Sequence, residues 1–397
     1  MPGFELFGEQ EKKEVQDVLD SGVLMRYGFD GMRNGHWKAK ELEAAITARM
    51  QTAHAQLVSS GTAALTVALA SAGIGAGDEV IIPTFTFVAS FEAVLAIGAV
   101  PILVDVDDTL TLDPLAVEQA ITENTKVVMP VHMCGSMADL GALKKLCSKH
   151  GLLLLEDACQ AIGGSYKGKP LGSYGDLGCF SFDYVKTITC GEGGALITNN
   201  GDYYKNADHY SDHGHDHTGQ DRGAEGHPFL GYNYRISELH AAVGLAQIRR
   251  LDEFLALQER NYTILRKALE GVDGIDFRQV PEGGIGNYSF LSFFLPIAEK
   301  AKAAQMALKE AGIDGCFYWF DNNWHYYRKW EHLASRTTLG KLPEEVLEGL
   351  PDYSKMVFPK SDHWISRNLS CLIKLGWSQT ETQERAKKMA KVLRNIV

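Results

Sequence analysis

The sequence predicts an α/β fold built on a covered, mostly parallel sheet of seven strands. Short apolar segments alternate with helical stretches from about Ala55 to Thr198, which is the chain order of strand–helix–strand units. Most of these apolar segments lack period-two alternation, and Leu152–Leu155 is an unbroken run of leucine. Strands that are apolar on both faces belong in a sheet with helices on both sides.

The predicted elements follow in chain order. The candidate strands of the main sheet are Ala55–Ser59, Glu79–Pro83, Val100–Val104, Lys126–Val131, Leu152–Glu156, Leu177–Phe182 and Ala195–Thr198. The helical patterns among and after them are Thr62–Ala72, Phe87–Ile97, Leu115–Thr122, Met137–His150 and a long helix at Ser237–Arg260. The later elements are a strand at Ser289–Leu295, a helix at Ala301–Ala311, a strand at Ile373–Leu375 and a closing helix at Thr380–Asn395. This change of pattern predicts two domains, a large one at 1–250 and a smaller C-terminal α+β domain at 251–397.

Composition argues against several classes of protein. The chain has 397 residues, of which 45% are hydrophobic and 22% charged, as in ordinary globular proteins. A formal net charge of −11 makes a nucleic-acid-binding face or a basic membrane surface improbable. No signal peptide or membrane span is recognisable, and seven scattered cysteines form no C-x-x-C pair. We therefore expect a cytoplasmic protein without a disulfide framework or a structural zinc site.

The first candidate site is the junction of a strand and a helix at Val58–Leu65. The N–H groups and the dipole of a helix N-terminus favour an anion there, Gly61 allows close approach of the backbone, and Thr62 adds a hydroxyl. A serine or threonine cap on a packing helix explains the same residues. Taken alone, this junction favours the cap.

Two further segments carry ionisable groups after buried strands. Glu156 and Asp157 follow the leucine run, at the strand end where open α/β sheets bind ligands; a helix cap by Asp157 is the alternative. Lys186 follows Leu177–Phe182 and precedes a glycine-rich turn, with the hydroxyl of Ser181 five residues earlier. A lysine withdrawn from water there can react with a carbonyl, whereas most lysines simply lie exposed in loops.

Two unusual segments leave their roles open. The His-rich stretch S-D-H-G-H-D-H begins at Ser211 within a polar loop, 208–227, which is interpreted as a polar loop, a substrate-facing loop or a metal site. The aromatic block C-F-Y-W…N-N-W-H-Y begins at Cys316 and predicts either the core of the smaller domain, a subunit interface, or a surface that grips a sugar.

Taken together and in order, these segments resemble the DegT/DnrJ/EryC1/StrS family of sugar aminotransferases. The matching blocks are S-S-G-T-A-A-L, G-D-E-V-I-I-P-T-F-T-F-V-A-S, G-A-V-P-I-L-V-D-V-D, E-D-A-C-Q-A-I-G, F-S-F-D-Y-V-K-T-I-T-C-G-E-G-G and G-Y-N-Y-R-I-S-E. The resemblance covers nearly the whole chain. It implies fold type I of the pyridoxal 5′-phosphate (PLP) enzymes, with PLP and its aminated form PMP as cofactor, and a keto or aldehyde sugar and an amino acid, glutamate, as substrates.

The resemblance also implies roles for single residues. Lys186 matches the lysine that holds PLP covalently and then transfers protons, and Asp157 matches the carboxylate that pairs with the pyridine nitrogen. Gln160 matches the residue beside the 3-hydroxyl, and Phe87 matches an aromatic ring stacked on the pyridine. The residues matching the phosphate site are Gly61, Thr62, Ser181 and Asn233. Because the family donates this asparagine from the other subunit, a homodimer with shared active sites is implied.

The His-rich and aromatic blocks narrow the expected substrate. They resemble members that aminate C8 of an oxidised octulosonate sugar acid for lipopolysaccharide synthesis, whereas most members act on nucleotide-linked 3- or 4-keto sugars. His213, His215 and Arg235 are the candidate substrate contacts. A PLP-binding regulatory protein without turnover and a metal-dependent hydrolase that uses the His-rich loop are the alternatives; Lys186 and Asp157 argue against the hydrolase.

Overall fold

The computed structural model describes residues 2–218 and 222–397. Within them the strands are β1 (His54–Val58), β2 (Glu79–Pro83), β3 (Val100–Val104), β4 (Thr125–Val128), β5 (Leu153–Asp157), β6 (Ser165–Tyr166), β7 (Lys169–Pro170), β8 (Leu177–Ser181), β9 (Gly194–Thr198), β10 (Asp276–Phe277), β11 (Gly284–Ile285), β12 (Phe290–Phe294), β13 (Cys316–Phe317) and β14 (Asn368–Leu372). The helices are α1 (Glu9–Ser21), α2 (Lys38–Met50), α3 (Gly61–Ser71), α4 (Ala89–Ala96), α5 (Pro114–Ala120), α6 (Leu140–His150), α7 (Gly201–Tyr210), α8 (Glu238–Arg249), α9 (Leu251–Leu269), α10 (Ala298–Glu310), α11 (Glu331–Ala334), α12 (Glu344–Gly349), α13 (Pro359–Arg367) and α14 (Gln379–Arg394).

The main sheet has seven strands in the order β1-β9-β8-β5-β4-β2-β3. Neighbouring strands from β3 to β8 are parallel, and β9 runs antiparallel to both β1 and β8. The predicted fold class, a mostly parallel seven-stranded sheet in an α/β fold, is confirmed. Each predicted strand of this sheet corresponds to an observed one, with shifts at the ends.

Both faces of the main sheet are buried, which explains the absence of alternation in its strands. In β2, Val80 and Ile82 join one hydrophobic cluster, whereas Ile81 joins another. In β5, Leu155 and Leu154 divide between the same two clusters. Because successive strand residues point to opposite faces, each face has its own hydrophobic core.

A second, antiparallel sheet follows later in the chain, in the order β10-β12-β14-β13. Apolar residues of α9, α10 and α14 share one buried cluster with β12 and β14. Strands β6, β7 and β11 form a small sheet of their own. The division into domains at residue 250 remains a proposal.

Two predicted elements beyond the main sheet are wrong. The long helix predicted at Ser237–Arg260 is two helices, because Arg250 leaves the helical conformation with φ −101° and ψ 3° between α8 and α9. The strand predicted at Ile373–Leu375 lies earlier, as β14 at Asn368–Leu372. Its buried polar residues Asn368 and Ser370 interrupt the apolar pattern from which a strand is recognised.

The aromatic block divides between two buried clusters: Tyr318 joins the cluster of α9, α10, α14 and the antiparallel sheet, in agreement with the predicted core of the smaller domain. Trp319, Tyr326 and Trp330 belong to the same buried cluster as residues of the main sheet and α3. The rings of Trp319 and Phe85 are 5.8 Å apart between centroids, and those of Trp330 and Phe91 are 6.0 Å apart. This late segment therefore packs on the first part of the chain.

Membrane insertion through a helix has no basis in the described part of the chain, where each helix is too short or too polar to cross a bilayer.

Candidate active site

A cavity of about 320 Å³ lies at one edge of the main sheet. It is bordered by the C-terminal ends of β5 and β8 and by the start of α3. Open α/β sheets bind ligands at the carboxyl ends of their strands. The cavity brings together these predicted site residues: Gly61, Thr62, Phe87, Asp157, Gln160, Ser181 and Lys186. Ser90, Asp183, Glu192 and His325 also line it.

The N-terminus of α3 forms one end of the cavity. Ser60 caps the helix, because its Oγ accepts a hydrogen bond of 3.0 Å from the backbone N–H of Ala63. The expected cap is therefore present, and the helix dipole still points at the cavity beside Gly61 and Thr62. A Cβ atom at Gly61 would lie 2.7 Å from the Cβ of Ser181, so only glycine lets the helix start approach the Ser181 hydroxyl.

Asp157 places a carboxylate in the cavity with only 4% of its surface exposed. Its Oδ2 accepts a hydrogen bond of 2.7 Å from Ser90 Oγ, which in turn lies 2.6 Å from Thr86 Oγ1. Its Oδ1 accepts a hydrogen bond of 3.1 Å from the backbone N–H of Cys159. A turn follows β5 rather than a helix, so the alternative of a helix cap is wrong, and these donors fix the orientation of the carboxylate.

Glu156 faces away from Asp157, as strand alternation requires. Its carboxylate is fully buried and accepts hydrogen bonds from the backbone N–H groups of Gly172, Tyr174 and Gly175, at 2.7 to 2.9 Å. His132 Nε2 lies 2.9 Å from its Oε2. Glu156 therefore holds the loop before β8, and of the two adjacent carboxylates only Asp157 lines the cavity.

Lys186 reaches the cavity from the loop after β8. Its backbone is fixed by two hydrogen bonds, Lys186 N to Asp183 O at 3.0 Å and Gly3 N to Lys186 O at 2.9 Å. Within residues 2–218 and 222–397 its Nζ takes part in neither a hydrogen bond nor an ion pair. Lys186 is half-buried, and its unpaired amine is available for chemistry.

His325 is a cavity residue that sequence reasoning placed only within an aromatic block. Burial, and secondarily the positive charge of Lys186, lower the pKa of His325 to about 3, so its ring is neutral near pH 7. Its Nδ1 lies 2.8 Å from Asn322 Oδ1. A neutral imidazole beside Lys186 adds no second positive charge to the cavity.

Backbone pairing explains why His325 lies beside Phe87. Thr86 N donates to His325 O at 3.0 Å, and Val88 N donates to Trp324 O at 2.8 Å. The Phe87 ring centroid is 5.3 Å from that of His325 and 6.0 Å from that of Trp324. In the sequence, the N-N-W-H-Y block was the signal for this wall of the cavity. Ser90 could be found only from its position in the predicted helix, about one turn after Phe87.

The remaining predicted site residues lie outside the cavity. His213 N donates to Tyr232 O at 3.0 Å, and Arg235 forms an ion pair with the buried carboxylate of Asp212. His215 Nδ1 lies 2.8 Å from Glu225 Oε2. The contacts of His213, His215 and Arg235 with substrate therefore remain predictions, and residues 219–221 of the loop lie outside the described residues. In the rest of the loop and of the described chain, no group of three or more His, Cys, Asp or Glu is arranged to hold a metal ion.

Asn233 is exposed and does not line the cavity of its own chain. The next residue, Tyr234, accepts a hydrogen bond of 2.8 Å at its carbonyl oxygen from the backbone N–H of Ser59. The Asn233 segment therefore lies against the loop between β1 and α3, and the exposed Asn233 side chain accepts at its Oδ1 a hydrogen bond of 3.3 Å from the backbone N–H of Arg235. Its role toward a second subunit remains a prediction.

Comparison with known proteins identifies the family. Residues 6–356 match the DegT/DnrJ/EryC1/StrS aminotransferase family. The chain belongs to this family. The 3-amino-5-hydroxybenzoate synthase of Amycolatopsis mediterranei (strain S699) is 38% identical over 284 residues, 71% of this chain and 70% of that protein. The GDP-perosamine synthase of Caulobacter vibrioides is 42% identical over 221 residues, 55% of this chain and 58% of that protein, so the match spans less than two thirds of its length.

Solved structures of aminotransferases share the fold. The crystal structure of 3-amino-5-hydroxybenzoic acid synthase aligns with a TM-score of 0.81 and 30% identity, covering 98% of this chain and 97% of that chain. A Streptococcus pneumoniae protein described as a sugar aminotransferase, in its PLP form, aligns with a TM-score of 0.82 and 25% identity over 98% and 97%. The predicted enzyme class and cofactor are confirmed: the chain is a PLP-dependent aminotransferase.

The cavity fits PLP by its chemistry. A helix start and a serine hydroxyl suit a phosphate, a buried carboxylate suits a protonated pyridine nitrogen, and an unpaired lysine suits the cofactor's carbonyl. The closeness of Gly61 to Ser181, where a Cβ would collide, leaves the helix start open to such a phosphate.

Proposed function

We propose that the cavity around Lys186 is the active site, where an amino group passes from an amino acid to the carbonyl carbon of a sugar. The observation that supports this most is the meeting of an unpaired lysine amine with a buried, hydrogen-bonded carboxylate in one cavity. A structural lysine would be expected to pair with that carboxylate or to point into water.

The two ends of the cavity suit the two ends of the cofactor. We propose that Gly61, Thr62 and Ser181 hold the phosphate, because backbone N–H groups at a helix start and a hydroxyl are donors to phosphate oxygens. Asp157 would hold the proton on the ring nitrogen, and Gln160 would lie beside the 3-hydroxyl. The ring of Phe87, 39% exposed, offers a flat surface for the pyridine.

Lys186 is proposed to carry the proton transfers. Bound PLP supplies an electron sink that stabilises negative charge on the carbon bearing the amino group. The Nζ of Lys186 would take the proton from that carbon and return it at the cofactor end, which requires a free amine in reach of both. Because burial lowers the pKa of His325 to about 3, its imidazole is a weak base, which leaves Lys186 as the mobile base.

The proposed acceptor is a sugar acid with an aldehyde at its terminal carbon, as in C8 of 3-deoxy-8-oxo-manno-octulosonate, used for lipopolysaccharide synthesis. The support is the resemblance of the His-rich and N-N-W-H-Y blocks to members of the family with this activity. The second of these blocks supplies a wall of the cavity through His325, with Trp324 stacked beside Phe87 and 60% exposed. An exposed indole at this place is suited to stack on a sugar.

A nucleotide-linked 4-keto sugar is the second candidate acceptor. It is favoured by the relation to GDP-perosamine synthase. Relatives named as L-glutamine:2-deoxy-scyllo-inosose aminotransferases further suggest that glutamine should be tested beside glutamate as amino donor.

A comparison of the two acceptors in separate assays tests these proposals. The purified enzyme would receive glutamate or glutamine together with either the 8-oxo octulosonate or a GDP-linked 4-keto sugar, and kcat/KM would be measured for each pair. Faster amination of the sugar acid supports the first candidate, and faster amination of the nucleotide sugar replaces it with the second. Lys186→Ala is the control, in which amination of either acceptor should be lost.

We propose further that the enzyme is a homodimer in which Asn233 of one subunit reaches the phosphate end of the partner's cavity. The support is the family resemblance together with the exposed position of Asn233 beside the loop between β1 and α3.

A further inference from the structure

A second cavity shares a wall with the Lys186 cavity. It has a volume of about 180 Å³ and is lined in part by Cys134, Ser136 and Arg278. Gln160, which lines the Lys186 cavity, accepts at its Oε1 a hydrogen bond of 2.9 Å from the backbone N–H of Cys134. One hydrogen-bonded pair of residues therefore separates the two cavities at this point.

Arg278 brings to this second cavity a buried positive charge that forms no salt bridge within the described residues. The side chain is 8% exposed, with Nε donating to Thr109 O at 2.5 Å and Nη1 donating to Met133 O at 2.6 Å. Its Nη2 is buried and has no hydrogen-bond partner among the residues that the structure describes. Burial lowers the pKa of Arg278 to about 10, against the opposing effect of nearby groups that include the Asp107 carboxylate, and the group remains a cation near pH 7.

The other buried arginines of the described chain are compensated. Arg26 forms an ion pair with Glu43, and Arg33 Nη1 lies 3.2 Å from Glu238 Oε2. Within residues 2–218 and 222–397, Arg278 forms no ion pair. A buried charge without an opposite charge is costly, and a ligand that brings a negative charge removes that cost.

Ser136 adds a second unused group to the same cavity. Its Oγ is buried and makes no hydrogen bond within the described residues. A carboxylate has lone pairs for both a guanidinium and a hydroxyl, and its planar shape matches the arginine fork. Two unsatisfied donors beside one cavity are the arrangement expected for such an acceptor.

We infer that Arg278 and Ser136 form a carboxylate-binding site for a substrate of the transamination. The inference rests on the proposed active site in the Lys186 cavity, which lies across the Gln160–Cys134 wall. Two reactants carry the required group, the amino-acid donor and a sugar-acid acceptor. In either case the site would select acids over neutral analogues of the same shape.

Matched acid and amide reactants test this inference. For the donor, L-glutamate is compared with its α-carboxamide; for the acceptor, the 8-oxo octulosonate is compared with its C1 carboxamide. In Arg278→Gln we expect kcat/KM to fall roughly ten- to hundredfold for the acid on one of the two arms, because a hydrogen bond to a charged group is lost. The corresponding amide should change by less than about threefold, and the affected arm identifies the reactant that is bound.

Two further variants protect this test against misfolding. Ser136→Ala removes a hydroxyl that makes no hydrogen bond in the described part of the chain, so the variant should keep the fold and still bind the same acid more weakly. Arg336→Gln is an exposed control for the loss of an arginine, because Arg336 also donates to two backbone carbonyls, those of Leu350 and Pro351, but lines neither cavity. Equal losses with acid and amide, or no loss on either arm in Arg278→Gln and Ser136→Ala, would overturn the inference.

A measurement without turnover separates this inference from the proposed function. Succinate, a dicarboxylate without an amino group, should raise the melting temperature of the wild-type protein but not that of Arg278→Gln, since a ligand of the folded state stabilises it. If the wild-type protein transfers no amino group but succinate raises its melting temperature and not that of Arg278→Gln, the carboxylate site is retained and the proposed reaction is rejected. An equal shift in both proteins would reject the site.

Discussion

The hydroxyl of Ser90 is predicted to position the carboxylate of Asp157. Ser90 Oγ lies 2.7 Å from Asp157 Oδ2 in a fully buried contact. A hydrogen bond to a charged group contributes about 2 kcal/mol, and 1.36 kcal/mol is a factor of ten in rate. Ser90→Ala should therefore slow the half-reaction with the amino donor about thirtyfold. Alanine is a good helix former, so α4 should remain intact.

The assay is the single-turnover rate with glutamate, followed by the absorbance of the bound cofactor. Ser71→Ala is the matched control, because Ser71 is also a buried helix serine, but its Oγ donates to a carbonyl, that of Ala68, at 2.8 Å. The control should keep the wild-type rate. A Ser90→Ala rate within twofold of wild type would refute the positioning role.

A double-mutant cycle tests whether the effect of Ser90 acts through Asp157. In an Asp157→Asn background, Ser90→Ala should add little further loss, since residues that act through one contact are not additive. A full thirtyfold loss in that background would mean that Ser90 acts on something other than the carboxylate.

Three further predictions concern the site and its surroundings. Asp157→Asn should lower the half-reaction rate at least about a hundredfold, because a preorganised charge is worth ~3 kcal/mol; an unchanged rate would leave Asp157 a purely structural role. Mixing Asn233→Ala with Lys186→Ala subunits should restore activity in mixed dimers, since both lesions then fall in one shared site, and no recovery after confirmed subunit exchange would count against shared sites. Because the pKa of His325 falls from 6.5 to about 3 on folding, the unfolded chain binds more protons between these values, and this histidine lowers stability as pH falls below about 6.5, by up to ~1.4 kcal/mol per pH unit. Urea unfolding should therefore show His325→Gln gaining stability relative to wild type between pH 7 and pH 5, whereas a constant difference would contradict the assignment.

The main sheet was predictable because burial on both faces leaves a simple trace in the sequence. Runs such as Leu152–Leu155 need no knowledge of the neighbouring strands to be recognised. The break between α8 and α9 was not predictable, because Arg250 is an ordinary helix former and only tertiary packing sets its conformation. Strand β14 was misplaced because buried polar residues such as Asn368 conceal its apolar pattern.

The candidate site was predictable where a residue ends a strand or begins a helix. Gly61 begins α3 and Asp157 ends β5, whereas Lys186 lies in the loop that follows β8, and the parallel sheet brings these positions to one edge. His325 and Arg278 lie far along the chain, and only tertiary contacts bring them to the cavities. Sequence patterns also could not distinguish Arg278, which lacks a carboxylate partner, from Arg26 and Arg33, which have one.

Chemical labelling tests most directly the proposed covalent attachment of the cofactor to Lys186. The purified protein would be incubated with PLP, treated with borohydride to make the attachment permanent, digested, and analysed by mass spectrometry. We expect a pyridoxyl label on Lys186 in the wild-type protein and no such label in Lys186→Ala. A stoichiometric label on another lysine, or one that persists in Lys186→Ala, would contradict the account.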